Sequence, residues 1–100
     1  MVERKVDKIG RVCIPDCYFK RLEMHENQEV EITIEYGKIC IKKFKRENID
    51  QRPYVGIVRT LDKLGRVSIP AEHLKLLGIM KGDKIALKLG VRKIKISKID

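Results

Sequence analysis

Two short stretches concentrate the residues able to do chemistry. They are Asp7-Lys8-Ile9-Gly10-Arg11 and Asp62-Lys63-Leu64-Gly65-Arg66. Each sets a carboxylate four positions before an arginine, with a lysine and a glycine between. The guanidinium offers a planar fork of donors to a phosphate or a guanine edge and stays charged at any cellular pH. Lysine acts as a point charge that positions a partner without reading it. The aspartates belong to the turn, because a carboxylate repels phosphate; pairing of Arg11 and Arg66 with Asp7 and Asp62 would stiffen the turn and is compatible with phosphate contact. Catalytic patterns are missing: there is no Ser-His-Asp set, no Cys-His pairing at matched positions and no glycine-rich phosphate loop, so an enzyme is not expected. Cys13-x-x-x-Cys17 with His25 or His73 has poor zinc spacing, so ordinary thiols, no metal and no cofactor are expected.

These stretches recur because the sequence repeats. Arg4-x-x-Asp7-Lys8-x-Gly10-Arg11-Val12-x-Ile14-Pro15 returns, at one constant offset, as Arg59-x-x-Asp62-Lys63-x-Gly65-Arg66-Val67-x-Ile69-Pro70. The register continues without a gap through Lys20/Lys75, Leu22/Leu77, Ile39/Ile94, Ile41/Ile96 and Lys43/Lys98. The chain therefore divides into halves 1–46 and 54–100, joined by a linker at 47–53.

The elements that must position the basic residues follow from the pattern in each half. Val2–Val6 and Val55–Leu61 read as strands closed by Asp-Lys-x-Gly turns. Short strands follow at Arg11–Ile14 and Arg66–Ile69, with Val12 and Val67 on the face opposite the arginines. Proline ends each strand and opens a brief helix, Asp16–Met24 or Ala71–Leu77. Gly78 is a natural helix stop. Val30, Ile32 and Ile34 alternate with Glu31, Thr33 and Glu35, as Ile85, Leu87 and Leu89 do with polar or small residues, and turns near Gly37 and Gly90 lead into final strands. The expected order is ββαββ, repeated twice. Alternation places Cys13 and Cys40 opposite the apolar rows, open to solvent. A half this short would be marginal alone, so the two are expected to share one core as an intrachain pseudo-dimer; exchange of halves between two chains, or a homodimer, is the alternative.

Composition bounds the partner. Of 100 residues, 23 are Lys or Arg and 14 Asp or Glu, a net charge of +9. Such an excess favours a polyanion, since a basic surface gains affinity by releasing counterions from phosphates. The charge is uneven: residues 1–50 hold 11 basic and 10 acidic side chains, residues 51–100 hold 12 and 4. Lys42-Lys43-x-Lys45-Arg46 could help hold phosphates, but a solvated strand end is the better reading. No apolar run approaches the length needed to span a bilayer, and the N-terminus carries no apolar signal region, so a cytoplasmic protein without a membrane partner is expected.

With these residues in view, the sequence resembles the AbrB/MazE/SpoVT family of swapped-hairpin DNA-binding domains. The second half matches more closely, through Gly56-Ile57-Val58-Arg59-x-x-Asp62-x-Leu64-Gly65-Arg66-Val67-x-Ile69-Pro70, Leu77-Gly78-Ile79 and Gly82-Asp83. The first departs from it, with Glu23 where the family prefers glycine and Asn27-Gln28 in place of Gly82-Asp83. The resemblance implies a mostly β swapped-hairpin barrel with two short helices, and a nucleoid-associated regulator that contacts double-stranded DNA. By position it assigns DNA contact to Arg59 and Arg66, and to Arg4 and Arg11, with Lys75 and Lys20 from the helices and Lys63 and Lys8 beside the turns. The alternatives are an antitoxin-like protein, which would usually carry a toxin-wrapping tail, or an interaction module that meets a protein through the acidic first half.

Overall fold

The computed structural model describes residues 1–46 and 56–99. The expected linker at 47–53 lies outside them. Among the described residues ten elements follow in chain order: β1 (Val2–Lys5), β2 (Arg11–Cys13), α1 (Asp16–Arg21), β3 (Glu29–Glu35), β4 (Lys38–Lys43), β5 (Ile57–Thr60), β6 (Arg66–Ser68), α2 (Ala71–Leu76), β7 (Lys84–Gly90) and β8 (Lys93–Lys98). The chain is mostly β, with two short helices, each of 6 residues.

Each helix begins after a proline, Pro15 or Pro70, whose ring cannot continue a strand ladder. Each ends within two turns. After α2 the chain turns through Gly78 at φ 68°, and after α1 through Glu23 at φ 54°, so a glutamate adopts the left-handed stop that glycine takes without strain. For this reason α1 closes at Arg21 rather than reaching Met24.

Six strands form one antiparallel sheet in the order β1-β7-β8-β4-β3-β5, and β2 pairs with β6 in a separate two-stranded ribbon. The first strands leave their own neighbours in sequence. β1 pairs with β7, placing Arg4 opposite Ile85, and β5 pairs with β3, placing Arg59 opposite Val30. In the ribbon Val12 lies opposite Val67. The sheet contributes Ile32, Ile39, Ile41, Ile85, Leu87, Ile94 and Ile96, all buried. Val12, Val67, Ile14 and Ile69 from the ribbon region, with Tyr18 and Leu74 of the helices, join them in one core. The Tyr18 hydroxyl donates to the Leu87 carbonyl at 2.9 Å, tying α1 to β7. The radius of gyration is 12.8 Å, close to the roughly 13 Å of a folded chain of this length.

The expected barrel is not closed. β1 and β5 stand at the two edges of the sheet, and neither continues the ladder into the ribbon. The turn after each edge strand is closed locally, with the Arg11 amide donating to the Asp7 carboxylate at 2.7 Å and the Arg66 amide to that of Asp62 at 2.9 Å.

The expected exposure of Cys40 is overturned. It is buried at 1% exposure, because it is a small residue in a central strand, between Thr33 on β3 and Lys95 on β8. Glu31, counted in the acidic first half, is likewise buried at 1% exposure, and its carboxylate accepts the Gly56 amide at 2.6 Å. Alternation correctly separates Cys40 and Glu31 from the isoleucines, but it does not say whether the second face meets water. Among the described residues no helix is long and apolar enough to cross a membrane.

Candidate nucleic-acid interface

The two Asp-Lys-x-Gly-Arg turns are built alike. Asp7 Oδ1 accepts the amides of Ile9 and Arg11 at 3.0 and 2.7 Å, and Asp7 Oδ2 accepts Arg11 Nε at 2.8 Å. Asp62 Oδ1 accepts the amides of Leu64 and Arg66, both at 2.9 Å, and Asp62 Oδ2 accepts Arg66 Nε at 2.7 Å. The hydrogen bonds from the Arg11 backbone amide, and then from its side chain, hold the Asp7 carboxyl below its ordinary range; those of Arg66 act in the same way on Asp62. Both aspartates are therefore ionised at neutral pH. Each fixes its arginine through Nε, which leaves the Nη groups outside that hydrogen bond.

The turns also grip each other. The Ile14 amide donates to the Gly65 carbonyl at 2.9 Å, and the Ile69 amide donates to the Gly10 carbonyl at 3.0 Å. This reciprocal clasp brings Arg11 and Arg66 to one place in the fold, with Arg11 Nη1 3.8 Å from Asp62 Oδ2. Gly10 and Gly65 sit at φ 83° and 75°, in the left-handed region, and Gly65 packs against the Phe19 ring of α1. Sequence-distant segments therefore meet here, with each arginine held by the aspartate of its own turn.

The other sequence-predicted residues are spread over several elements. Lys8 and Lys63 are exposed at the turns, and Lys20 and Lys75 are exposed near the ends of α1 and α2. Arg4 and Arg59 lie on β1 and β5, at opposite edges of the sheet, opposite Ile85 and Val30. Their guanidinium groups donate to the adjoining carbonyls of Glu3 and Val58 at 2.9 and 3.2 Å. The structure thus joins Arg11 and Arg66 in one cluster and leaves Arg4 and Arg59 apart, at opposite edges of the sheet. Of the basic run after β4, Arg46 is committed elsewhere: it pairs with Glu29 at 2.8 Å and lies over the Phe44 ring.

Sequence reasoning passed over Ile9 and Leu64. They stand 64% and 67% exposed, one in each turn. Their signal was present, since an apolar residue between lysine and glycine in a tight turn has no route to the core. Paired apolar side chains beside paired arginines give a surface able to meet both phosphates and the apolar edges of a groove.

No family model and no curated protein matches the chain. Its fold is similar to a solved structure described as "The solution structure of PHS018 from Pyrococcus horikoshii", with a TM-score of 0.52. The two are 24% identical, and the alignment covers 95% of this chain and 83% of that one. At that identity the likeness concerns the fold alone.

Proposed function

We propose that this chain is a DNA-binding regulator of AbrB type, in which two ββαββ halves exchange strands within one chain and present a basic face to duplex DNA. Arg11 and Arg66 form its centre, Arg4 and Arg59 its flanks, and Lys8, Lys63, Lys20 and Lys75 its phosphate-contacting rim. The observation that carries the reading is the clasp between the two turns. It brings together arginines from opposite halves of the chain, each held to the carboxylate of its own turn through Nε. The pairing of β1 and β5 with strands of the other half supports the pseudo-dimeric part of the proposal. A net charge of +9 supports a polyanionic partner. Because residues 51–100 hold most of the excess charge, the second half is expected to dominate affinity. A regulator of this kind would work in the cytoplasm, on the nucleoid.

The test is a salt series of binding to random duplex DNA, read by fluorescence anisotropy. If all eight cations reach phosphates, log K should fall against log salt with a slope of about −7, at roughly −0.9 for each contact. Arg59→Ala/Arg66→Ala should flatten that slope by about 2. Undetectable binding at low salt would overturn the proposal and point to a protein partner.

A further inference from the structure

A second concentration of positive charge lies in a cleft that the DNA reading does not use. The cleft has a volume of about 630 Å³ and opens where the end of α1, the end of β4 and the β7–β8 turn meet. Arg21, Lys42, Lys43, Lys45 and Arg92 line it, and Glu23 is the one carboxylate in its lining among the described residues. Lys43 Nζ donates to the Glu23 main-chain carbonyl at 3.0 Å and not to its carboxylate. Among the described residues none of these five cations is in an ion pair. On the adjoining strand β3, Glu29 pairs with Arg46 at 2.8 Å and Glu35 with Lys93 at 3.1 Å, while Glu31 stands opposite Lys42.

The fold does not require this charge. At the equivalent positions of the other half, Arg21 is replaced by Leu76, Lys42 by Ser97, Lys45 by Asp100 and Arg92 by Gly37; of the five cations only Lys43 is matched, by Lys98. Two lining residues, Arg92 and Glu23, adopt φ 60° and 54°, the left-handed region, where their counterparts Gly37 and Gly78 adopt φ 74° and 68°. Asn27 and Tyr36, outside the cleft, adopt φ 64° and 52°, so this backbone conformation is not confined to it. Like charges around a concavity also repel one another, and a bound anion would relieve that repulsion.

We propose that this cleft binds a small molecule bearing a di- or triphosphate, with Arg21 and Arg92 forking its phosphate oxygens and Lys43 and Lys45 neutralising the remaining charge. The volume lies within the range of about 300–1,000 Å³ that encloses a small ligand. Duplex DNA displays its phosphates on a convex surface, which meets the rim of such a cleft and not its interior. The proposal does not rest on the DNA reading.

The experiment is a titration of the uniformly ¹⁵N-labelled chain with inorganic tripolyphosphate, then with ATP, at about 0.15 M salt, where exposed charges more than roughly 8 Å apart are largely screened. Saturable amide shifts are expected at 21–23, 42–45 and 89–92. Arg21→Leu/Arg92→Gly installs the counterpart residues and removes the strain at position 92, so it should fold while weakening tripolyphosphate binding at least tenfold. Arg59→Ala/Arg66→Ala should leave that binding unchanged. The proposal is overturned by an absence of saturable shifts, by shifts spread evenly over all basic residues, or by unchanged affinity in a folded Arg21→Leu/Arg92→Gly chain. It is overturned equally if duplex DNA shifts these amides and tripolyphosphate does not, which would make the cleft part of a nucleic-acid surface.

Discussion

Alanine at Gly65 should destabilise the protein far more than alanine at Gly10, although the two glycines occupy equivalent turns. Both have left-handed backbones, at φ 75° and 83°. Alanine there meets a strain of about 1–2 kcal/mol. Reduced freedom of the unfolded chain offsets roughly 0.4–1 kcal/mol of it. At Gly10 little else opposes the change, since the nearest atoms to a new Cβ, Ile69 O and Leu74 Cδ1, are both 3.8 Å away. At Gly65 the new Cβ would stand 2.9 Å from Phe19 Cε2 and 3.2 Å from Cζ. The ring must move within a packed region, at a further cost of about 1–3 kcal/mol. The expected losses are therefore about 0.5–1 kcal/mol for Gly10→Ala and about 2–3 kcal/mol for Gly65→Ala. Urea unfolding followed by far-UV circular dichroism would separate them by about 1 M in midpoint, for a slope of about 1–2 kcal/mol/M. Phe19→Leu should recover part of the Gly65→Ala loss when each is measured against its own parent. Equal midpoints for the two glycine variants, or no recovery with Phe19→Leu, would refute the packing of this turn against α1.

Three further expectations follow from single contacts. Tyr18→Phe removes the donor to the Leu87 carbonyl and should cost about 1 kcal/mol by the same unfolding assay, with the far-UV spectrum unchanged. The Asp7 and Asp62 carboxyls are held below their ordinary value of 3.8 in the folded chain. Their contribution to stability is therefore present above that value and lost as pH falls through the depressed folded value; an acid unfolding series should show this loss below about pH 4, and Asp7→Asn/Asp62→Asn should shrink it. Burial pushes the Cys40 thiol up, whereas Cys17 is exposed. A thiol-specific reagent at neutral pH should modify Cys17 at once and Cys40 only as fast as the chain opens, and equal rates would contradict the burial.

The local features were legible in the sequence because each depends on a few neighbouring residues. Asp-Lys-x-Gly-Arg specifies a turn since the carboxylate reaches the amides two and four positions on, and proline followed by a short apolar spacing specifies a brief helix. The alternation of Val30, Ile32 and Ile34 with Glu31, Thr33 and Glu35 identified which residues share a face. Arg11 and Arg66, with Lys8 and Lys63, stood out by type and by position in the turns, whereas Arg4, Arg59, Lys20 and Lys75 came from the family resemblance. A motif tied to one residue type was a weaker guide: Glu23 follows α1 in a conformation expected of glycine, and the helix is shorter than its apolar spacing suggested.

What only the tertiary structure decided was which distant segments meet. Alternation defines a strand's faces but not its neighbour, so nothing local directs β1 to β7 or β5 to β3, or leaves the sheet open at both edges. Nor does it say what lies over the second face, which is why Cys40 was expected in water and is buried, with Glu31 beside it in the same situation. The clasp of Gly10 with Ile69 and of Gly65 with Ile14 joins residues of opposite halves. The cationic cleft likewise exists only because the β7–β8 turn carries Arg92 to the end of α1. Turn and helix preferences are energies of neighbouring residues, whereas strand partners, burial and clefts are set by the packing of the whole chain.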